Sequence, residues 1–187
     1  MSTDPSLPWF PGFDPQRFFA LVSRSMQGTE EAIKVSRELL GLEGNSRERA
    51  VDFIAQAARG TGLDASPLFE SVLRFGPTSA ARVAAAAYLA EMGRADTVLE
   101  VLESLQPPAL TITVLTGLLE VLGSQPATPE RLRRMLAFGA RFNDETHYTT
   151  LYLGDFTGRE VKRHVRRALA GSLLRRDAPE AAAWPGE

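Results

Sequence analysis

Asp144, Glu145 and His147 fall within four residues, and two carboxylates beside an imidazole are a donor set that suits a divalent metal ion. The same letters read more simply as a helix start, where acidic side chains meet the positive end of the helix dipole, and that is the reading adopted, with no metal assigned. His164 is the second of two histidines, and there is no cysteine. Disulfides, thiolate zinc sites and thiol catalysis are thereby excluded. No serine sits in a G-x-S-x-G elbow. The glycine-bearing stretches "GLEGN", "GTG" and "GDFTGR" lack the strand–loop–helix setting of a phosphate-binding loop. Glu30-Glu31 is an acid pair in the first turn of a helix, where it favours the dipole. The residue inventory points to a non-catalytic role without a cofactor, with a metal-dependent enzyme around Asp144 and His147 as a distant third reading.

Two groups suit binding better than catalysis. Near the C-terminus, at roughly 100° per residue, Arg159, Lys162, Arg163, Arg166 and Arg167 share one side of a helix, while Val161, Val165, Ala168 and Leu169 occupy another. Arg133, Arg134 and Arg141 are expected to add to that basic end. A basic stripe can neutralise phosphates, meet an acidic protein or lie on an anionic membrane surface; it can also be a solvated face. The second group is "LPWFPGF": Trp9, Phe10 and Phe13 are costly to leave in water. They either cap the end of a helical stack or form a docking or self-association patch, through which the chain would form homo-oligomers.

The elements that must position these groups are helices. At 187 residues the chain suits one domain with its own core. No apolar run approaches the length needed to cross a bilayer, and the N-terminus lacks the pattern of a signal peptide, so a soluble, cytoplasmic protein is expected. Residues 1–126 carry 10 basic and 15 acidic side chains, and residues 127–187 carry 11 and 8, so a mildly acidic body leads into a basic end. Helix punctuation is dense. Asp14-Pro15, Thr29, Asn45 with Glu48, Ser66-Pro67, Thr78 or Ser79, Asp96, Thr128-Pro129, and Thr157 with Glu160 each open an amphipathic run. With "ALTITVLTGLLEVLG" and "ETHYTTLYLG" read as helices too, about ten helices with short connections result. "LTITVLTGLL" is β-branched enough for a strand, but no second alternating run is available to pair with it, so it is assigned as helix.

Segments of the chain align with one another. Ser71–Gly93 lies over Val101–Gly123 at an offset of 30, matching Val72 with Leu102, Pro77 with Pro107, Leu89 with Leu119 and Gly93 with Gly123. Glu38–Gly60 lies over the first copy at an offset of 33, matching Leu40 with Leu73, Arg49 with Arg82 and Gly60 with Gly93. Such periods characterise arrays of helical hairpins. The stretch "SAARVAAAAYLAEMGRADTVLEVLESL" resembles the HEAT repeat, in which an arginine, alanines, a leucine and a closing glycine mark the second helix. Arg82, Ala85, Ala86, Leu89, Gly93 and Asp96 carry the match, and Arg49, Ala50, Ala57 and Gly60 carry it in part. The third copy departs from it, with Ile112 in place of the arginine. The likeness spans residues 38–123 and is strongest over 79–105.

This resemblance implies an all-α, short right-handed solenoid of HEAT-like hairpins, spanning residues 14–176, between a Pro- and aromatic-rich segment 1–13 and a loosely ordered tail 178–187. The expected role is protein binding or scaffolding, with the basic stripe Arg159, Lys162, Arg163, Arg166 and Arg167 and the aromatic Trp9, Phe10 and Phe13 as the partner-binding residues. HEAT-like folds also include DNA-repair glycosylases, so the alternative is a nucleic-acid-binding protein that uses the basic C-terminal helix. The alanines Ala84 to Ala87 are expected to let helices pack close together.

Overall fold

The computed structural model of the chain describes residues 15–41, 64–76, 78–106, 110–150 and 154–182. Among these residues eight helices and one two-stranded sheet are found, so the protein is mostly helical, as expected. They gather into two compact units, residues 1–92 and 93–187. The expected helix over 45–60 lies outside the described residues, as do Trp9, Phe10 and Phe13. No helix among the described residues is long and apolar enough to cross a membrane.

The first unit contains α1 (Pro15–Ser25), α2 (Thr29–Gly41), α3 (Ser66–Phe75) and α4 (Ser79–Glu91). Gly28, at φ +135°, turns the chain between α1 and α2. Glu31, from the acid pair, then binds Arg24 of α1 at 3.0 and 3.1 Å and Lys34 at 3.0 Å. The Lys34 and Arg24 hydrogen bonds hold its carboxyl below the usual glutamate range. α2 and α1 both pack on α3, and α3 pairs with α4. Thr78, of the two expected caps, is the one used: its hydroxyl accepts from the Ala81 amide. Phe69 and Tyr88 stack across the α3–α4 hairpin with ring centroids 4.0 Å apart.

Within α4, Ala85 and Ala86 are fully buried and Ala84 and Ala87 half-buried, so the alanine run does occupy a packed position. Ala85→Leu should therefore overpack, costing about 1–3 kcal/mol. Ala80→Leu, on the exposed side of the same helix, should leave the thermal midpoint unmoved. Equal midpoints for the two variants in a calorimetric scan would refute a packing role for the run.

The second unit contains α5 (Ala95–Ser104), α6 (Ile112–Gly123), α7 (Pro129–Ala140), β1 (His147–Thr150), β2 (Gly154–Thr157) and α8 (Gly158–Ala182). α5 packs on α6 and α7, α8 packs on α6 and α7, and β2 lies against α6 and α8. Thr111 and Thr128 cap α6 and α7 through hydrogen bonds from the Val114 and Arg131 amides. "LTITVLTGLL" is helical, as assigned. α8 continues to Ala182, past the expected end near residue 176.

One element departs from expectation. "ETHYTTLYLG" is no helix: residues 147–150 pair antiparallel with 154–157, placing Tyr148 opposite Phe156. Their rings stack at 5.4 Å, and Phe142 and Phe138 extend the aromatic row inward, each step 5.2 Å. Aromatic and β-branched side chains favour a pleated strand, and the cross-strand aromatic pair rewards it. Asn143 makes the preceding turn, its side chain accepting from the Glu145 amide at 3.2 Å.

The aligned glycines are also not equivalent. Gly93 follows α4 at φ +77°, a left-handed position that suits glycine. Gly123 is the last residue inside α6; a Cβ there would lie 2.9 Å from the Ala168 Cα. The capping threonines Thr78 and Thr111 stand 33 positions apart whereas these glycines stand 30 apart, so the second copy is slipped by nearly one helical turn.

Candidate functional site

The basic stripe is real as a face of α8. Val161, Val165, Ala168 and Ser172 are buried, while Arg159, Arg163, Arg166 and Arg167 are exposed and Lys162 is half-buried. What the stripe carries is less charge than the sequence suggests. The β-hairpin brings Glu145 to Arg159 at 2.8 Å and Asp144 to Lys162 at 2.6 Å. The Lys162 bond holds the Asp144 carboxyl below the usual aspartate range. The acidic residues considered as metal ligands are thus ion-pair partners of the basic helix, and His147 is exposed on β1. Among the described residues no three metal-ligating side chains come together.

The other expected cations are also engaged. Arg134 holds Glu103 of α5 through two bonds of 3.1 and 2.5 Å, and Arg141 donates to the Glu103 carbonyl at 2.8 Å. Arg133 pairs with Glu130 in its own helix. Arg131, which the sequence reading passed over, is buried and joins Asp96 of α5 to the Pro126 carbonyl, both at 3.0 Å. Arg131, Arg134 and Arg141 thus tie the α7 region to α5, while Arg133 is paired within α7. Arg163 reaches Glu160 only at 3.9 Å. Arg166, Arg167 and Arg175 have no ion pair or hydrogen bond among the described residues.

Two of those three arginines border a groove that sequence reasoning missed. α6 and α8 approach closely where Gly123 faces Ala168 and Gly171: a Cβ on Gly171 would lie 2.9 Å from the Gly123 carbonyl oxygen. The Ser172 hydroxyl clasps the Gln125 carbonyl at 2.6 Å, and the Ala127 amide donates to the Ser172 carbonyl. Beside this crossing lies an open cavity of about 170 Å³. It is lined by Thr116, Leu119, Glu120 and Gly123 of α6, by Ser124 just after it, and by His164, Arg167, Ala168, Gly171 and Arg175 of α8. Its volume falls short of the roughly 300–1,000 Å³ of drug-sized ligand sites and matches a bulky side chain better. Beyond it, Leu174 stands 75% exposed seven residues after Arg167, on the same side of the helix.

No family model, curated protein or solved structure matches the chain. The site rests on its geometry alone. The signals available in the sequence were the small residues Gly123, Ala168 and Gly171, which permit a close helix crossing.

Proposed function

We propose that the chain is a protein-binding or scaffold protein of HEAT-like helical hairpins, working in the cytoplasm, and that its partner contacts the solvent side of α8 and the α6–α8 groove. The observation that carries this reading is that Arg166, Arg167 and Arg175 make no ion pair or hydrogen bond among the described residues, on a helix that also exposes Leu173 and Leu174. Exposed apolar side chains among cations are the composition of an interface. The α3–α4 hairpin, with Arg82 and the alanines facing inward, supports the repeat reading. Nucleic acid is the weaker occupant: Arg159 and Lys162 already carry carboxylate partners, and few aromatic residues interleave the free cations for base stacking.

The test places a photo-crosslinking amino acid at position 174 in living cells of the source. A protein adduct that disappears in the Arg167→Glu/Arg175→Glu double variant is the expected result. Fluorescence anisotropy with a labelled DNA duplex runs alongside, at low and physiological salt. Duplex binding that weakens steeply with salt and is abolished by Arg163→Glu/Arg166→Glu/Arg167→Glu would transfer the site to nucleic acid.

A further inference from the structure

We infer that the groove between α6 and α8 takes an acidic amphipathic helix of a partner protein, one bulky apolar side chain seated beside the Gly123–Ala168–Gly171 crossing and carboxylates reaching Arg167 and Arg175. The inference rests on the protein-binding reading of α8 and adds the chemistry of the partner. Its basis is charge complementarity. Arg167 and Arg175 are eight residues apart on one helix, which sets them about 12 Å apart along its axis. Neither has a carboxylate of its own among the described residues, whereas Arg131, Arg133, Arg134, Arg159 and Lys162 each do. Between them Gly171 offers no side chain, so the cavity opens midway along the cationic edge. An α-helix laid alongside would present an apolar residue to that opening and acids about one turn to either side.

The opposite edge has the other sign. Glu120 of α6 is exposed and has no ion pair among the described residues. It would repel an acid placed on its side, so the acids of the partner must face α8. The groove therefore selects an orientation as well as a charge.

The experiment pans a displayed library of random helical peptides against the intact chain. Enriched peptides are measured on wild type, Arg167→Glu/Arg175→Glu and Glu120→Lys, with circular dichroism and melting midpoints confirming that each variant folds. The expected result is enrichment of peptides with Asp or Glu seven or eight positions apart around Leu, Phe or Met. Their affinity should fall at least tenfold in the double variant, rise several-fold in Glu120→Lys and weaken with salt. Vesicles with anionic lipid and a DNA duplex are titrated in parallel. Enriched peptides that are basic or uncharged and indifferent to Arg167→Glu/Arg175→Glu would overturn the acidic-helix inference while leaving protein binding intact. No enrichment above an unrelated folded protein would overturn this inference, and the photo-crosslink at position 174 then decides the broader reading separately. Tighter binding to vesicles or duplex than to any peptide would overturn both.

Discussion

Gly158→Ala should destabilise the protein by about 3 kcal/mol or more, at the top of the range for overpacking. Gly158 is the first residue of α8, and a Cβ there would run into the carbonyl oxygen and carbon of Asn143. Both sides of that clash are fixed. The Asn143 carbonyl accepts from the Thr146 amide at 3.2 Å, and the Gly158 amide donates to the Thr146 carbonyl at 3.3 Å. Backbone cannot yield there without breaking the turn that begins the hairpin. Gly139→Ala is the control. The atoms nearest its Cβ would be those of the Val165 side chain, at 3.4 Å or more, and alanine is the better helix former by about 1 kcal/mol. Urea unfolding of the two variants should thus move in different directions, or at least by very different amounts. A Gly158→Ala midpoint equal to wild type would show that the junction between hairpin and helix is looser than this packing demands.

The second large effect is expected at Arg82. This arginine marks the HEAT resemblance, yet its work is internal to one hairpin. It is 8% exposed, and its Nε donates to the Leu73 carbonyl at 2.8 Å while Nη2 donates to that of Arg74 at 3.3 Å. Those carbonyls belong to the last turn of α3, at the negative end of its dipole, where a cation is favoured. Burial pulls the guanidinium below its ordinary pKa, because leaving water disfavours the charged form. Arg82→Met keeps much of the stem and strands two carbonyl acceptors, which should cost about 2–6 kcal/mol at roughly 1–3 per group. Arg82→Lys retains a charge and part of the capping, so it should fall between. For a chain this long the Met change corresponds to a drop of about 4–24 °C at 2–4 °C per kcal/mol. A Met variant that melts with wild type would show that solvent or another donor already serves these carbonyls.

Much of the helical framework was legible because helix ends are written locally. Thr78, Thr128 and the Thr157–Glu160 pair all cap as their spacing indicates; in the last, the Glu160 amide donates to the Thr157 hydroxyl at 3.3 Å and the Thr157 amide to the Glu160 carboxylate at 2.8 Å. The hairpin was not legible by the same means. Its strands are four residues each, too short for periodicity to separate from noise. The usable signal was the aromatic and β-branched run Tyr148, Thr149 and Thr150, followed by a second aromatic at Phe156. The candidate site divided the same way. The cationic face of α8 follows from 100° per residue alone, but which cations are already paired depends on where the hairpin delivers Asp144 and Glu145. The groove needed α6 as its second wall, and nothing local to α8 names that neighbour.

The Thr157 junction has a mechanical consequence. Thr157 is at once the last residue of β2 and the cap of α8, so strand passes to helix with no intervening residue. A joint of this kind is a lever and not a hinge. To swing α8 against the hairpin the chain would have to give up the three Thr157–Glu160 bonds, the Gly158–Thr146 bond and the Arg159 and Lys162 ion pairs together. Whatever pushes on Arg167 or Leu174 therefore turns the aromatic row of Tyr148 and Phe156 with it, and the hairpin is the far arm on which a load applied to α8 would be felt.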